Sequence, residues 1–355
     1  MWSDLLLILD ATLRMAVPLV LAAMGGVFAE RSGVIDFGLE GKMLGGAFVA
    51  ATVAHLTQSA WMGLLGAIII GITFSMMHAF ASVTKQGNQV VSCVAINIFA
   101  MGLTTVLGQA WFQRGGKTPQ LPPEARFTTI ELPFAEELRV VPVLGDIYYE
   151  LISGHNILVY IAYIMVPLTA WIVFRSRFGL RLRATGENPL AVDTAGISVN
   201  ATRYKALIIN GILGGMSGAY LSTAQLAFFV KDMSAGKGYL ALAAMIFGKW
   251  RPFQAMLACL LFAFAEAIQS RLQGVPLPIV GVVPVQLIQS IPYILTVVLL
   301  AGFVGKAVAP KAIGEPFIKE HNGNHPAESF SYPSADSEFS INYNDRYQGH
   351  RHLPA

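Results

Sequence analysis

Long apolar segments separated by polar stretches dominate the chain. There are about nine of them, near 11–28, 38–57, 61–84, 88–111, 156–174, 205–228, 237–248, 252–271 and 284–305. Most have the roughly 20 residues that an α-helix needs to cross the hydrocarbon core of a bilayer. The pattern predicts an all-α membrane protein, a polytopic helical bundle of about nine spans.

Two polar, glycine-containing stretches interrupt this pattern at comparable places in the two halves. Residues 30–41 have the sequence ERSGVIDFGLEG, and residues 231–239 have the sequence KDMSAGKGY. Non-helical backbone at membrane depth is tolerated only where protein or a water-filled cavity covers it. Segment 237–248 is too short to cross the membrane alone, so the stretch before it is predicted to interrupt a discontinuous helix. The first stretch is the equivalent in the N-terminal half, and paired discontinuous helices are typical of transporters.

The order of these features recurs along the chain. A span, a polar break, a helix rich in small residues and two long spans occur over about 15–111 and again over about 205–305. Charged loops predict opposite orientations for the two copies. The sequence therefore predicts an inverted repeat.

Two long polar loops differ in charge and set the predicted orientation. Residues 112–155 carry four basic and six acidic side chains, whereas residues 175–205 carry six basic and two acidic ones. Because basic loops stay in the cytoplasm, 175–205 is predicted to be cytoplasmic and 112–155 external. The N-terminus is then also external.

The domain organisation follows from these segments. Residues 1–14 are predicted to be an interfacial segment before the first span. The transmembrane domain, 15–313, comprises an N-terminal half (15–111), an external loop (112–155), a cytoplasmic loop (175–204) and a C-terminal half (205–305). Residues 314–355 are rich in Asn, Ser, His and Pro, and are predicted to form a disordered cytoplasmic tail.

Composition supports a membrane protein and excludes several functions. The chain of 355 residues is 54% hydrophobic and only 13% charged, with a mean hydropathy of +0.57. Its net charge of +3 gives no sign of nucleic-acid binding. The sequence contains no phosphate-binding loop, no H-E-x-x-H, no G-x-S-x-G and no C-x-x-C. We therefore expect no catalytic site, metal or cofactor in this chain, and any ATP hydrolysis must come from a partner.

A few polar residues in or near the spans are candidates for a transport pathway. Glu40 either caps a helix and holds Arg31 or Lys42, or contacts a solute, and Asp36 has the same alternatives with capping favoured. Gln89 and Asn97 either hydrogen-bond a neighbouring helix or contact a polar solute.

Other intramembrane features have structural and functional interpretations. Glu266 is interpreted as forming a helix–helix hydrogen bond or an ion pair with Arg271 rather than a proton relay. Glycines four residues apart predict close helix packing, with helix sliding as the functional alternative. These pairs are Gly41 and Gly45, Gly211 and Gly215, and Gly214 and Gly218.

The cytoplasmic loop contains a predicted short helix. Gly186 is expected to break the chain, Asn188 to cap the helix and Pro189 to occupy its first turn, with Gly196 ending it. A short amphipathic helix over 190–195 suits docking into a groove on a soluble subunit. The alternative is a helix lying on the membrane surface.

Together these motifs resemble the permease subunits of ABC importers for simple sugars, nucleosides and branched-chain amino acids. The resemblance rests on residues 30–41 and on GLRLRATGENPLA at 179–191, with further matches in QVVSCVAINI at 89–98 and GKGYLALAAMIFG at 236–248. It covers about 11–313. Within this branch the chain is most similar to nucleoside-type permeases that work with basic-membrane-protein lipoproteins.

The resemblance implies partners and roles. It implies an ATP-binding subunit that carries ATP and Mg²⁺, a second and paralogous permease, and an extracytoplasmic solute-binding lipoprotein, assembled in the bacterial inner membrane. Asp36, Glu40, Gln89 and Asn97 would line or support the pathway. Asp36 departs from the asparagine expected there. The coupling helix to the ATPase would comprise Gly186, Glu187, Asn188, Pro189, Asp193 and Gly196.

The expected cargo is a neutral polar solute, a nucleoside or a simple sugar, because the spans contain few charges. Three alternatives remain at this point: an ABC permease for branched-chain amino acids, a secondary transporter driven by an ion gradient, and a membrane enzyme or structural scaffold. The secondary transporter would require buried titratable pairs within the spans, and the enzyme would require catalytic or metal-binding clusters at a membrane face.

Overall fold

The fold is described from a computed structural model. It describes residues 2–133, 137, 143–272, 276–277, 281–282, 287–288, 290–291, 294–295, 297–298 and 308–319. The helices are α1 (Trp2–Arg31), α2 (Leu39–Thr57), α3 (Ala60–Ala79), α4 (Gln89–Phe112), α5 (Leu144–Ile147), α6 (Ile157–Arg175), α7 (Arg177–Glu187), α8 (Pro189–Thr194), α9 (Val199–Tyr220), α10 (Lys237–Phe247) and α11 (Pro252–Leu272). Two small antiparallel ribbons pair β1 (Thr129–Ile130) with β2 (His155–Asn156) and β3 (Pro276–Leu277) with β4 (Gly281–Val282).

Six of the described helices are long and apolar enough to cross a membrane. They are α1, α3, α4, α6, α9 and α11, with π-helical turns that extend α3 to Thr84 and α9 to Gln225. The chain is therefore an all-α, multi-pass membrane protein. α10, with 11 residues, is shorter than a span, as expected. The ninth predicted segment, 284–305, lies mostly outside the described residues.

Helix α2 is surrounded mostly by protein rather than by lipid. It packs against α3, α4 and α9, and most of its residues are buried. Its first turn carries Glu40 and its second begins with Lys42, whose charges need protein partners in a bilayer.

Glycine contacts hold α3 and α9 together at the centre of the bundle. A Cβ atom added to Gly215 would lie 2.2 Å from the carbonyl oxygen of Ala67, and one added to Gly71 would lie 2.2 Å from that of Gly211. One added to Gly218 would lie 2.1 Å from the carbonyl oxygen of Met43 on α2. Only glycine permits these approaches, so the predicted close packing is confirmed.

The structure revises the prediction for one end of the chain. Residues 2–14 are helical and lead directly into the first span, because α1 runs without interruption from Trp2 to Arg31; their interfacial position stays a prediction. Residues 314–318, predicted to begin a disordered tail, pack against the bundle through the buried side chain of Phe317. The remainder of the predicted tail, 320–355, lies outside the described residues.

Loops predicted to share a membrane face contact one another. The first part of the external loop follows the end of α9: Thr118 N–H donates to Phe229 O, Leu121 N–H to Ala227 O and Phe127 N–H to Thr223 O. On the opposite face, residues 312–317 contact α7 and the residues that follow α3. These contacts agree with the predicted topology, whose absolute direction stays a prediction.

Candidate functional site

The two predicted breaks meet each other along helix α10. Arg31, at the end of α1, donates hydrogen bonds to Trp250 O at 3.2 and 3.3 Å, just beyond the C-terminus of α10. Glu40, at the start of α2, accepts from Gly236 N at 2.8 Å and from Gly238 N at 2.7 Å, at the N-terminus of α10. At 1.5 Å per residue α10 is about 16 Å long, so the first break connects one end of α10 to the other.

The charges at the two ends match the dipole of α10. A carboxylate is stabilised at the positive N-terminus of a helix and a guanidinium at the negative C-terminus. The contact is too close for a side chain at Gly238, where an added Cβ would lie 2.5 Å from Glu40 N. Glu40 thus caps the N-terminus of α10. The predicted pairing with Arg31 or Lys42 is wrong.

Asp36 forms a completely buried ion pair. Its Oδ2 is 2.6 Å from Lys42 Nζ, and neither side chain is exposed. Asp36 Oδ1 accepts from Gly38 N at 3.1 Å, and Lys42 also donates to Asn210 Oδ1 at 2.6 Å. Asp36 therefore has the favoured capping role and closes the turn before α2, while Lys42 joins that turn to α9. The sequence offered Lys42 as a possible partner of either Glu40 or Asp36, and the structure pairs it with Asp36.

Gln89 and Asn97 hold the same break from the side of α4. Gln89 Oε1 accepts from Ile35 N at 2.7 Å. Asn97 Oδ1 accepts from Gly41 N at 2.8 Å, and its Nδ2 donates to Phe37 O at 2.9 Å and to the hydroxyl of Tyr239 at 3.0 Å. Both amides thus form hydrogen bonds within the protein, in line with the structural rather than the solute-binding alternative. Asn97 is also partly exposed, at a cavity described below.

One group of side chains has metal-ligand chemistry, but its atoms are already engaged. The ligand atoms of Asp36, His78 and Cys93 lie within 4.8 Å of one another. The Lys42 ammonium neutralises Asp36, and His78 Nε2 is 2.9 Å from Ile35 O. The arrangement fits a structural role in holding the break better than it fits a cation.

The second break is tied to α11 by another buried charge. Lys237, in the first turn of α10, forms an ion pair with Glu266 of α11. Glu266 was predicted to make a helix–helix bond or to pair with Arg271. The helix–helix bond is confirmed, and the partner is Lys237.

A cavity of about 270 Å³ lies where the two breaks meet. Glu40, Asn97, Asp232, Ser234 and Tyr239 are the polar residues of its lining, and Leu44, Ile98 and Met101 are apolar ones. Three positive φ angles at non-glycine residues, Ala227 (61°), Asp232 (56°) and Ala235 (46°), show strained backbone in the adjoining loop. Such strain is common at ligand sites. The mixed lining suits a ligand that has both polar and apolar groups.

The predicted short helix in the basic loop is present. α8 begins at Pro189, with Asn188 as its cap: Asn188 Oδ1 accepts from Ala191 N at 3.1 Å. Gly196 follows with φ 77°, as a helix stop requires. A groove of about 570 Å³ between α7 and α8 is lined by Arg177, Leu180, Arg181, Ala184, Glu187, Asn188, Ala191, Val192, Ala195 and Ile197.

Gly186 does not break the chain as predicted. It lies within α7, where an added Cβ would lie 2.3 Å from Arg31 O and 3.3 Å from Gly33 N. Its role is close contact with the first break. Glu187, the last residue of α7, is exposed, so α7 presents one side to the break and another to the surface. Asp193 of α8 is partly exposed.

Comparison with known proteins identifies the family. Residues 8–304 match the family described as "Branched-chain amino acid transport system / permease component". The chain is 41% identical to the guanosine ABC transporter permease protein NupQ of Bacillus subtilis, over 88% of this chain and 97% of NupQ. It is 38% identical to the nucleoside ABC transporter permease protein NupC of Lactococcus lactis, over 89% and 98% of the two chains.

A more distant relative, a putative glucose ABC transporter permease protein (TsgC13) of Haloferax volcanii, is 32% identical over 83% of this chain and 90% of that protein. The chain belongs to this permease family. It is a multi-pass bacterial membrane protein and a permease component of an ABC transporter.

Proposed function

We propose that this permease moves nucleosides, with simple sugars as the second candidate class. The observation that carries the proposal is the cavity at which the two broken helices meet, because transporters commonly bind solute between discontinuous helices. The aromatic ring and polar atoms of the lining suit a base attached to a hydroxylated ring. Two relatives that are 41% and 38% identical are named as guanosine and nucleoside permeases.

The proposal includes the partners that the resemblance implied. An ATP-binding subunit with ATP and Mg²⁺ supplies the energy, a paralogous permease completes the pathway, and an extracytoplasmic lipoprotein delivers solute near 112–155 and 229–236. The pathway is lined or supported by Asp36, Glu40, Gln89 and Asn97.

Nine spans and an inverted repeat are also part of this proposal. The packing supports the repeat: α1 and α9, the first helices of the two halves, contact each other. The third helix of each half packs on the first helix of the other, α3 on α9 and α11 on α1. The second helix of each half, α2 or α10, packs on its third.

A chain of contacts supports transmission of motion from the coupling helix to the cavity. α8 follows α7, and α7 touches the first break through Gly186. The break continues to Glu40, which holds the N-terminus of α10 beside the cavity. If the ATPase binds residues 186–196 and closes, movement along this path shifts the equilibrium between the outward-facing and inward-facing states of the permease.

Replacing Tyr239 by Ala should raise the KM for nucleoside uptake by about tenfold, whereas Tyr239→Phe should retain most uptake. Base–aromatic stacking contributes about 1–3 kcal/mol, and Tyr239 is 49% exposed at the cavity. The measurement is uptake of a radiolabelled nucleoside in vesicles containing the complete transporter. Unlabelled nucleosides, pentoses and leucine serve as competitors.

The control is Trp171→Ala, which removes an exposed aromatic residue of α6 outside this cavity and should leave KM unchanged. Competition by leucine alone would support the branched-chain amino acid class instead. Uptake that persists without the ATPase subunit would support a gradient-driven transporter.

Replacing Asn188 by Ala should lower uptake per ATP hydrolysed by about fivefold, because loss of an N-cap costs about 1 kcal/mol of helix stability. Asn188→Asp retains a capping oxygen and should behave as the unmodified protein does. Solute uptake and phosphate release are measured in the same vesicles. Glu187→Ala should likewise uncouple them without affecting membrane insertion, and normal coupling in both alanine variants would contradict a coupling role for α8.

A further inference from the structure

Residues 308–318, here called the C-terminal strap, cross the face predicted to be cytoplasmic and join elements that are distant in sequence. Gly314 N–H donates to Gly33 O at 3.0 Å, and Ala312 N–H donates to Gly186 O at 2.9 Å. The strap is thus hydrogen-bonded through its backbone to the first break and to α7. These are the two elements that already meet at Gly186.

Arg203 of α9 fixes the strap to the break from a third side. Its Nη1 donates to Glu315 O at 3.2 Å and its Nε donates to Ser32 O at 3.3 Å. Only 1% of the Arg203 surface is exposed. A buried guanidinium that bonds two carbonyl oxygens joins both segments with fixed geometry, because its donors form a rigid planar fork.

The end of the strap covers the coupling helix. The Phe317 side chain is 7% exposed and forms an apolar cluster with Val192 of α8 and Val199 of α9. Gln86, which follows α3, donates from Nε2 to Phe317 O at 3.1 Å. The strap therefore contacts α8 itself, and not only the elements around it.

We propose that the strap is a positioning element that fastens α7 and α8 to the first break, so that movement of the coupling helix reaches the cavity. The inference rests on the proposed coupling role of 186–196. Without the strap, the carbonyl groups of Gly33 and Gly186 lose these N–H donors, and Val192 loses its contact with Phe317. α8 can then move without carrying the break with it.

Two truncations form a matched pair that tests the strap within the complete transporter. A chain that ends after residue 319 keeps the strap, and a chain that ends after residue 307 lacks it. The shorter chain should copurify with the ATPase subunit and hydrolyse ATP at the basal rate. Its uptake per ATP should be lower by about tenfold, within the range of typical coupling energies, at an unchanged KM for solute. The longer chain should match the full protein in copurification, basal ATP hydrolysis, uptake per ATP and KM.

A point substitution keeps the test independent of truncation. Phe317→Ala in the full-length chain should lower uptake per ATP, whereas Ile318→Ala, at a neighbour that is 65% exposed, should not. Normal coupling in the chain ending after 307, or loss of the ATPase subunit from it, would overturn the proposal. In the second case the strap forms the docking surface instead of positioning α8. If the full-length complex itself fails to couple hydrolysis to uptake, the proposed function fails, whatever the truncations do.

Discussion

Replacing Lys42 by Met should abolish uptake and lower the melting temperature of the purified protein by about 5–10 °C. The reason is that Asp36 is then left as an unpaired charge in a site with no exposure. Breaking one side of a buried ion pair costs about 3–5 kcal/mol, and for a chain of this size each kcal/mol corresponds to about 2 °C. The measurements are thermal unfolding in detergent and uptake in vesicles.

The double variant Asp36→Asn, Lys42→Met separates charge from packing. With both charges removed, most of the lost stability should return, because replacing a whole buried pair is often neutral. Lys117→Met, at an exposed lysine of the external loop, is the control and should leave stability unchanged. If the double variant is as unstable as Lys42→Met, the pair is not what holds the turn before α2 to α9.

Replacing Glu40 by Ala should reduce uptake by about 100-fold or more while the protein still inserts into the membrane. The substitution removes both acceptors at the N-terminus of α10, and a hydrogen bond to a charged group contributes about 1.5–3 kcal/mol. We expect α10 to lose its fixed position at the cavity. Uptake and protease sensitivity of the 226–236 loop are the measurements.

Glu40→Gln keeps one carbonyl acceptor and loses the charge, so its uptake should lie between those of the Ala variant and the unmodified protein. Glu124→Ala, at an exposed position of the external loop, should have no effect. Uptake in Glu40→Ala equal to that in Glu124→Ala would show that the contact between the two breaks is dispensable.

Features that depend on neighbouring residues were predicted well. The cap at Asn188, the first-turn Pro189 and the stop at Gly196 follow from hydrogen-bonding and backbone preferences within a few residues, and all three are present. Gly186 was misinterpreted because a glycine inside a polar loop usually marks a turn. Gly186 instead allows close contact with the Arg31 carbonyl. Arg31 precedes Gly186 by 155 residues, so nothing in the neighbouring sequence indicates this contact.

The start of the predicted tail, residues 314–318, likewise could not be predicted from local sequence. Residues 314–318 have the composition of a disordered segment, and one phenylalanine gives no helical or strand periodicity. Phe317 becomes buried only because Val192 and Val199 leave an apolar surface beside Gln86. No property of the local sequence reports that surface.

The sequence by itself determined the class of protein, the described spans, both breaks and the short capped helix, because bilayer thickness, helix periodicity and caps act on local stretches of chain. The tertiary structure decided which charges meet: Glu40 with α10, 196 residues away, Lys42 with Asn210 and Lys237 with Glu266. A charge buried away from water must find its partner wherever the packed helices bring one, and that choice is fixed by three-dimensional packing rather than by proximity along the chain.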